Sequence, residues 1–155
     1  MLKGISWPVW TGMAASLLAA PAASALAADG AATGALTVKF EGLRSAKGLV
    51  RVCLTRDPKL YLHCDRDPDS FKASVAAGPG AHLDLAGVPP GEYVLAVVHD
   101  ENSNNKVDTM LGIPREGVGF SRNPTMMFGP PKWNAARFHV PSGPSETDVK
   151  LKYFL

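Results

Sequence analysis

The stretch Gly87-Val88-Pro89-Pro90-Gly91-Glu92-Tyr93-Val94-Leu95-Ala96-Val97-Val98 decides the fold of this 155-residue chain. Pro-Pro-Gly is a turn sequence, because proline fixes φ at the corner and Gly91 can adopt a positive φ. Every position from Tyr93 to Val98 is apolar, which is typical of a strand that is buried on both faces. We therefore expect a central β-strand here, ending where the chain becomes polar at His99 and Asp100.

Shorter strands are predicted on both sides of the central strand. Residues 36–41 and 50–54 alternate apolar and polar side chains, the period-two pattern of a strand with one buried face. The predicted strands lie at residues 36–41, 50–54, from 71 onward, 81–85, 93–98, 137–140 and 149–155. With 13 of the 15 Gly and 11 of the 13 Pro after residue 27, the strand pattern favours an all-β protein, a β-sandwich of about seven strands with one long loop. A Pro-Pro-Gly-x-Tyr turn before a buried strand is similar to that of immunoglobulin-like and transthyretin-like modules, and this resemblance implies an immunoglobulin-like or transthyretin-like β-sandwich.

The long loop is expected at residues 109–136, which are rich in Gly and Pro. Loops of this length usually carry function or are disordered. Seven apolar residues argue against disorder: Ile113, Val118, Phe120, Met126, Met127, Phe128 and Trp133. Two interpretations stay open, because these side chains either cap one end of the core or line a ligand groove.

The first 27 residues have the features of an export signal. Lys3 supplies the positive charge, residues 5–20 are largely apolar, and Ala25-Leu26-Ala27 is a small-x-small cleavage sequence. Prolines interrupt the segment, and its continuous apolar part is shorter than a membrane-spanning helix needs. We expect a signal peptide over 1–27, one domain over 28–155 with its core at about 36–155, and a periplasmic or secreted product with no stable membrane insertion.

The charge balance argues against a nucleic-acid partner. The chain has 16 Lys and Arg against 14 Asp and Glu, and removal of Lys3 with the signal leaves 15 against 14. Proteins that bind nucleic acid carry a basic patch or stripe. A nearly even balance of charges does not favour such a patch.

The two cysteines, Cys53 and Cys64, are expected to form a disulfide, because an even count in an exported chain favours pairing. In the predicted strand 50–54, Cys53 faces outward, where a loop that carries Cys64 can cover it. A copper or zinc site that combines His63 with the cysteines is the alternative, although the paired C-x-x-C spacing is missing.

A calcium loop is the candidate metal site. Asp100, Asn102, Asn104 and Asp108 occupy positions 1, 3, 5 and 9 of an EF-hand-like pattern, with the Lys106 carbonyl at position 7. Position 12 is Leu111, so the usual bidentate Glu is missing, and Glu101 or Glu116 could replace it from outside the pattern. The alternative is a set of Asx-turns that needs no metal. Ca²⁺ is thus the one cofactor that the sequence suggests.

Nothing in the sequence identifies a reaction, and we expect that the protein is not an enzyme. The four histidines, His63, His82, His99 and His139, form no zinc-binding pair and are expected at the surface or the rim. His99 beside Asp100 is the one candidate general base, but no nucleophile motif accompanies it.

Several motifs carry a resemblance to a bacterial family. They are Gly87–Tyr93, His99-Asp100-Glu101-Asn102, Leu111–Gly117 and Gly119-Phe120-Ser121. Together they resemble the family known as domain of unknown function 2141, over roughly Leu36 to Tyr153. The resemblance implies an exported β-sandwich without an established activity. Ser103 and Asn105 depart from it, because such a loop typically has Gly at both positions.

The sequence therefore predicts an exported, non-catalytic binding or envelope-associated module, whose partner is an unknown envelope protein or small ligand. The first alternative is a protein that handles Ca²⁺ or copper. The second alternative is a small hydrolase.

Overall fold

Ten β-strands and two short helices form the computed structural model, which describes residues 32–127 and 129–155. In chain order they are β1 (Gly34–Glu41), β2 (Leu49–Thr55), a 3-10 helix (Cys64–Arg66), β3 (Phe71–Ala76), β4 (His82–Val88), β5 (Gly91–Asp100), β6 (Thr109–Met110), β7 (Ile113–Pro114), β8 (Gly117–Phe120), α1 (Trp133–Ala136), β9 (Phe138–Val140) and β10 (Gly143–Lys150). The predicted signal peptide, residues 1–27, lies outside the described residues, as does Phe128.

The strands form two main sheets. The first has the order β10-β1-β4, with β1 parallel to β10 and antiparallel to β4. The second has the order β3-β2-β5-β8. Strand β9 also belongs to it, because β9 pairs with the first residues of β5 and β8 pairs with later residues of the same strand. Strands β6 and β7 form a separate two-stranded hairpin. The prediction of an all-β sandwich is confirmed.

The main core lies between the two sheets. Leu36, Val38 and Phe40 of β1 face inward, and the alternation predicted for this strand is confirmed. Burial of such side chains stabilises the fold by roughly 1.5–3 kcal/mol each. The opposing sheet contributes Val50, Val52, Leu54, Tyr93, Leu95 and Val97.

A second, smaller apolar cluster covers part of the other face of the five-stranded sheet, which we call the outer face. Val94, Phe120, Met126 and Ala136 are its buried members. Val94 belongs to β5, whose Leu95 points into the main core, so this strand is buried on both faces as its sequence predicts.

The prediction of one unbroken loop over residues 109–136 is wrong, because this segment contains β6, β7, β8 and α1. Strand β8 is held by pairing with β5 and by the close approach of the C-terminal segment. A Cβ at Gly117 would lie 2.5 Å from the Tyr153 ring, and one at Gly119 would lie 2.7 Å from a Val149 methyl. Glycine at these two positions therefore permits the contact.

The last strand begins and ends earlier than the sequence predicts. Strand β10 runs from Gly143 to Lys150, and beyond it Lys152 forms an isolated bridge with Val118. Across the described ranges, no helix has the length and apolar character needed to cross a bilayer.

Candidate functional site

An apolar groove lies on the outer face of the five-stranded sheet. Its floor is built by the alternation of the strands, because residues two apart along a strand point to the same face. Strands β2, β3, β5 and β8 each contribute two outward side chains: Arg51, Cys53, Lys72, Ser74, Ala96, Val98, Val118 and Phe120. The groove has a volume of about 500 Å³, within the usual range of small-molecule sites.

One wall of the groove is the segment from Tyr61 to Asp65, which the disulfide attaches to the floor. Cys53 on β2 is bonded to Cys64, with 6.3 Å between their Cα atoms, a separation that suits a disulfide. The predicted pairing is confirmed. Both sulfurs are in the bridge, so neither is a thiolate, and the alternative copper or zinc site loses its sulfur ligands.

Two polar contacts hold the same wall in place. The buried carboxylate of Asp67 accepts a hydrogen bond from Thr55 Oγ1 on β2. The hydroxyl of Tyr61 donates to the Pro131 carbonyl at 2.8 Å, and its ring packs edge-on against Trp133 at 5.7 Å. The wall is therefore attached both to the sheet and to the segment that precedes β9.

A second cavity of about 430 Å³ adjoins the groove at β8, because Val118 and Phe120 line both. Its other lining residues are Gly112, Ile113, Pro114, Met126, Met127, Gly129, Pro130 and Phe154. Of the apolar residues singled out in the sequence, Phe120 and Met126 belong to the second cluster, and Ile113 and Met127 join them at the cavity. These side chains therefore contribute both to an apolar cluster and to the lining of a cavity.

Exposed apolar side chains surround the two cavities. Leu62 and Val107 flank the first, Ile113 and Met127 flank the second, and each is at least 42% exposed. Leu111, at the tip of the β6–β7 hairpin, is 96% exposed. A patch of this kind commonly marks an interaction site.

The loop from Asp100 to Asp108 borders the groove, with Asn105 and Lys106 among the lining residues. Asp100 is fully buried, and its two carboxylate oxygens accept the backbone N–H groups of Asn104 at 3.1 Å and Asn105 at 2.9 Å. The side-chain amides of Asn102 and Asn104 donate to the same oxygen of Asp108, at 2.7 and 2.9 Å. Four of the predicted ligand side chains are thus linked by one hydrogen-bond network.

The two departures from the family pattern, Ser103 and Asn105, both lie where the loop backbone is left-handed. Ser103 has φ of 57° and Asn105 has φ of 65°, the left-handed region that glycine adopts without strain. Asn tolerates this conformation better than most residues. The side-chain oxygen of Asn105 also accepts a hydrogen bond from Arg51, which ties the loop to β2.

Two ion pairs flank the loop. Arg44 donates to Glu101 from Nε at 2.9 Å, and this hydrogen bond lowers the pKa of the Glu101 carboxyl. Arg51 lies 3.4 Å from the buried carboxylate of Asp100. The pKa of Asp108 is lowered as well, chiefly by the amide of Asn102.

Glu116 is the least satisfied polar side chain in the described part of the chain. The residue is 4% exposed, and neither carboxylate oxygen has a hydrogen-bond partner. Burial, followed by the repulsion of Asp100, raises its pKa to about 7. The backbone amide of Asp108 is near enough to oppose this rise, without forming a hydrogen bond of good geometry.

His99 is buried, so the expectation of a surface position is wrong for this histidine, while His63, His82 and His139 are exposed. Nε2 lies 2.8 Å from the Lys47 carbonyl oxygen, so this nitrogen carries the proton. Nδ1 accepts a hydrogen bond from the Tyr153 hydroxyl at 2.7 Å. Both nitrogens of His99 are engaged, and the ring holds the C-terminal segment against β5.

Across residues 32–127 and 129–155, no three His, Cys, Asp or Glu side chains are grouped closely enough to hold a metal ion. The groove floor and the burial of Glu116 are not predicted from the sequence. The alternation that orients Arg51 and Cys53 outward is a signal for the floor. The local sequence around Glu116 carries no signal of its burial.

The chain belongs to the family described as uncharacterized protein conserved in bacteria, DUF2141, whose model matches residues 38–149. This match covers well over half of the chain, and it confirms the resemblance drawn from the sequence motifs. Comparisons with curated proteins and with solved structures give no significant match.

Proposed function

We propose that this protein is an exported, non-catalytic binding module, and that the groove on the outer face of the five-stranded sheet is its ligand site. The observation that carries the proposal is the presence of two adjoining, largely apolar cavities that share Val118 and Phe120 as lining residues. Export is supported by the sequence of residues 1–27 and by the disulfide, since disulfides persist in oxidising compartments.

The lining of the groove favours an amphipathic ligand with an apolar body and an acidic group. Arg51, Lys72 and Lys106 border the larger cavity, against Asp65 as its acidic residue. The smaller cavity has an apolar lining throughout, from Ile113 to Phe154. An acidic group suits the basic end, and an apolar chain suits the region across β8.

Calorimetric titration of the purified chain with a medium-chain fatty acid, and with the alcohol of the same chain length, tests the ligand site. We expect saturable one-site binding of both, with the acid tighter. Ala96→Trp fills the groove floor and should abolish binding. Ala86→Trp is the matched control, because Ala86 is exposed on the other sheet. Equal binding by the two variants, or no binding by the native chain, refutes the proposed site.

The acidic preference has its own test in Lys106→Glu. Lys106 is exposed, so its substitution should leave the fold intact. Affinity for the fatty acid should decrease while affinity for the alcohol is unchanged. An equal loss for both ligands contradicts the assignment of the basic end.

Export is tested by expression of the full chain in a bacterial host. Intact-mass measurement of the periplasmic fraction should give a product that begins at Ala28 and contains the Cys53–Cys64 bridge. An unprocessed chain in the cytoplasm refutes export.

A further inference from the structure

The feature that starts this inference is the carboxylate of Glu116, buried without a hydrogen-bond partner. Buried carboxylates are normally paired, hydrogen-bonded or bound to a metal, because a bare buried charge is unfavourable. Glu116 lines a cavity of about 240 Å³, together with Glu101, Asn102 and Asp108. Glu116 thus borders that cavity with a carboxylate that has no hydrogen-bond partner in the protein.

The β6–β7 hairpin brings Glu116 to the loop that the sequence marks as a calcium candidate. The hairpin reverses the chain, and the Arg115 N–H then donates to the Asp108 carbonyl at 2.9 Å. Pairing of Gly117 with His99 places Glu116 next to Asp100 at the end of β5. Leu111, at position 12 of the pattern, is 96% exposed at the hairpin tip and is not among the residues that line the cavity.

The charges around the cavity favour a divalent cation. Arg44 is paired with Glu101, and Arg51 is paired with Asp100. These pairs do not include the carboxyl groups of Asp108 and Glu116, which remain for a cation in the cavity. Arg115 also borders the cavity, but its side chain is exposed to solvent.

The oxygen atoms near Asp108 suit calcium in particular. Ca²⁺ accepts six to eight oxygen ligands from carboxylates, amide carbonyls and water. The Asn102 amide lies 2.7 Å from the Asp108 carboxylate, and rotation of such an amide exchanges its nitrogen for its oxygen. Two carboxylates and the neighbouring amide oxygens together form a donor set for Ca²⁺. This set does not depend on a group of three acidic side chains.

We propose that the cavity between the Asp100–Asp108 loop and Glu116 binds Ca²⁺, with the carboxylates of Asp108 and Glu116 as its charged ligands. Glu116 takes the role of the acidic residue that is missing at position 12. Asp100 orders the loop through its hydrogen bonds to the backbone of Asn104 and Asn105. Two charged ligands predict weak binding, with a dissociation constant on the order of 10⁻⁴–10⁻³ M, as in extracellular modules.

Thermal unfolding of the full chain with CaCl₂ and with chelator tests this site. The melting temperature should rise with millimolar Ca²⁺, since an ion that binds the folded state stabilises it. Glu116→Gln keeps the shape of the side chain and removes its charge, and Asp108→Asn changes a partly exposed carboxylate. Both variants should weaken Ca²⁺ binding at least tenfold in calorimetric titration.

Glu146→Gln is the matched control, because Glu146 is an exposed carboxylate on the other sheet. It should retain the native response to Ca²⁺, and so should Ala96→Trp, which separates this site from the groove. An equal Ca²⁺ response in the native chain and in Glu116→Gln overturns the proposal, as does the absence of a response in the native chain.

Discussion

Glu116→Gln should change how stability depends on pH. The folded-state pKa of Glu116 is raised from the ordinary 4.5 to about 7, first by burial and then by Asp100, with Asp108 and Glu101 adding to the repulsion. The backbone N–H of Asp108 acts in the opposite direction, and the positively charged Arg44 and Arg115 also border the cavity. A carboxyl with a raised pKa binds its proton more tightly in the folded state than in the unfolded state.

The sign follows from proton linkage. Below pH 4.5 both states are protonated and the full stability is present. As the pH rises to 7 the unfolded state releases the proton first, so the free energy of unfolding falls. The rise in pKa corresponds to at most about 3 kcal/mol across this window. The amide that replaces the carboxyl in Glu116→Gln does not titrate. The unfolding free energy of this variant should therefore not fall through proton release at position 116.

The assay is urea unfolding followed by the fluorescence of Trp133, from below pH 4.5 to above pH 7, with chelator present. The difference in unfolding free energy between variant and native chain should grow with pH by about 2–3 kcal/mol, in favour of the variant. A difference that stays constant across the window refutes the assignment of a raised pKa to a buried, unpaired Glu116.

Three further substitutions test other parts of the fold. Cys53→Ala with Cys64→Ala should lower the free energy of unfolding by about 2–3 kcal/mol, measured by urea unfolding without reductant, and unchanged stability would contradict a structural bridge. Ser103→Gly should raise the unfolding free energy by roughly 0.5–1 kcal/mol, because φ is 57° there, and a lower melting temperature would contradict this. Ser121→Ala should lower the free energy of unfolding by about 1–3 kcal/mol, measured by urea unfolding. The buried Ser121 hydroxyl accepts a hydrogen bond from the Leu95 N–H at 3.0 Å and donates one to the Ala136 carbonyl. Native-like stability of that variant would show that the hydroxyl is dispensable.

The strands predicted correctly from the sequence are those whose pattern of apolar residues follows directly from which of their faces are buried. Alternation in β1 and β2 follows from one buried face, and it also orients Cys53 toward the loop that carries Cys64. The apolar run of β5 follows from burial on both faces. In each case neighbouring residues suffice to predict the environment.

The parts missed depend on partners that are distant in sequence. Strand β8 has four residues and two glycines, and it is a strand because β5 pairs with it. His99 is a polar residue after an apolar run, and its burial is satisfied by Tyr153 and Lys47, which are 54 and 52 residues away. Burial of Glu116 depends likewise on the return of the β6–β7 hairpin.

The parallel pairing of β1 with β10 has a consequence for how the chain acquires its fold. Gly34 lies opposite Gly143, so the first strand of the sandwich meets its partner only when the last strand is present. Contacts over so long a separation slow folding, because the intervening chain must be ordered before they form. A product truncated before β10 would expose the edge of β1 as an unpaired strand, which invites aggregation. A chain that lacks β10 is therefore expected to aggregate more readily than the complete chain.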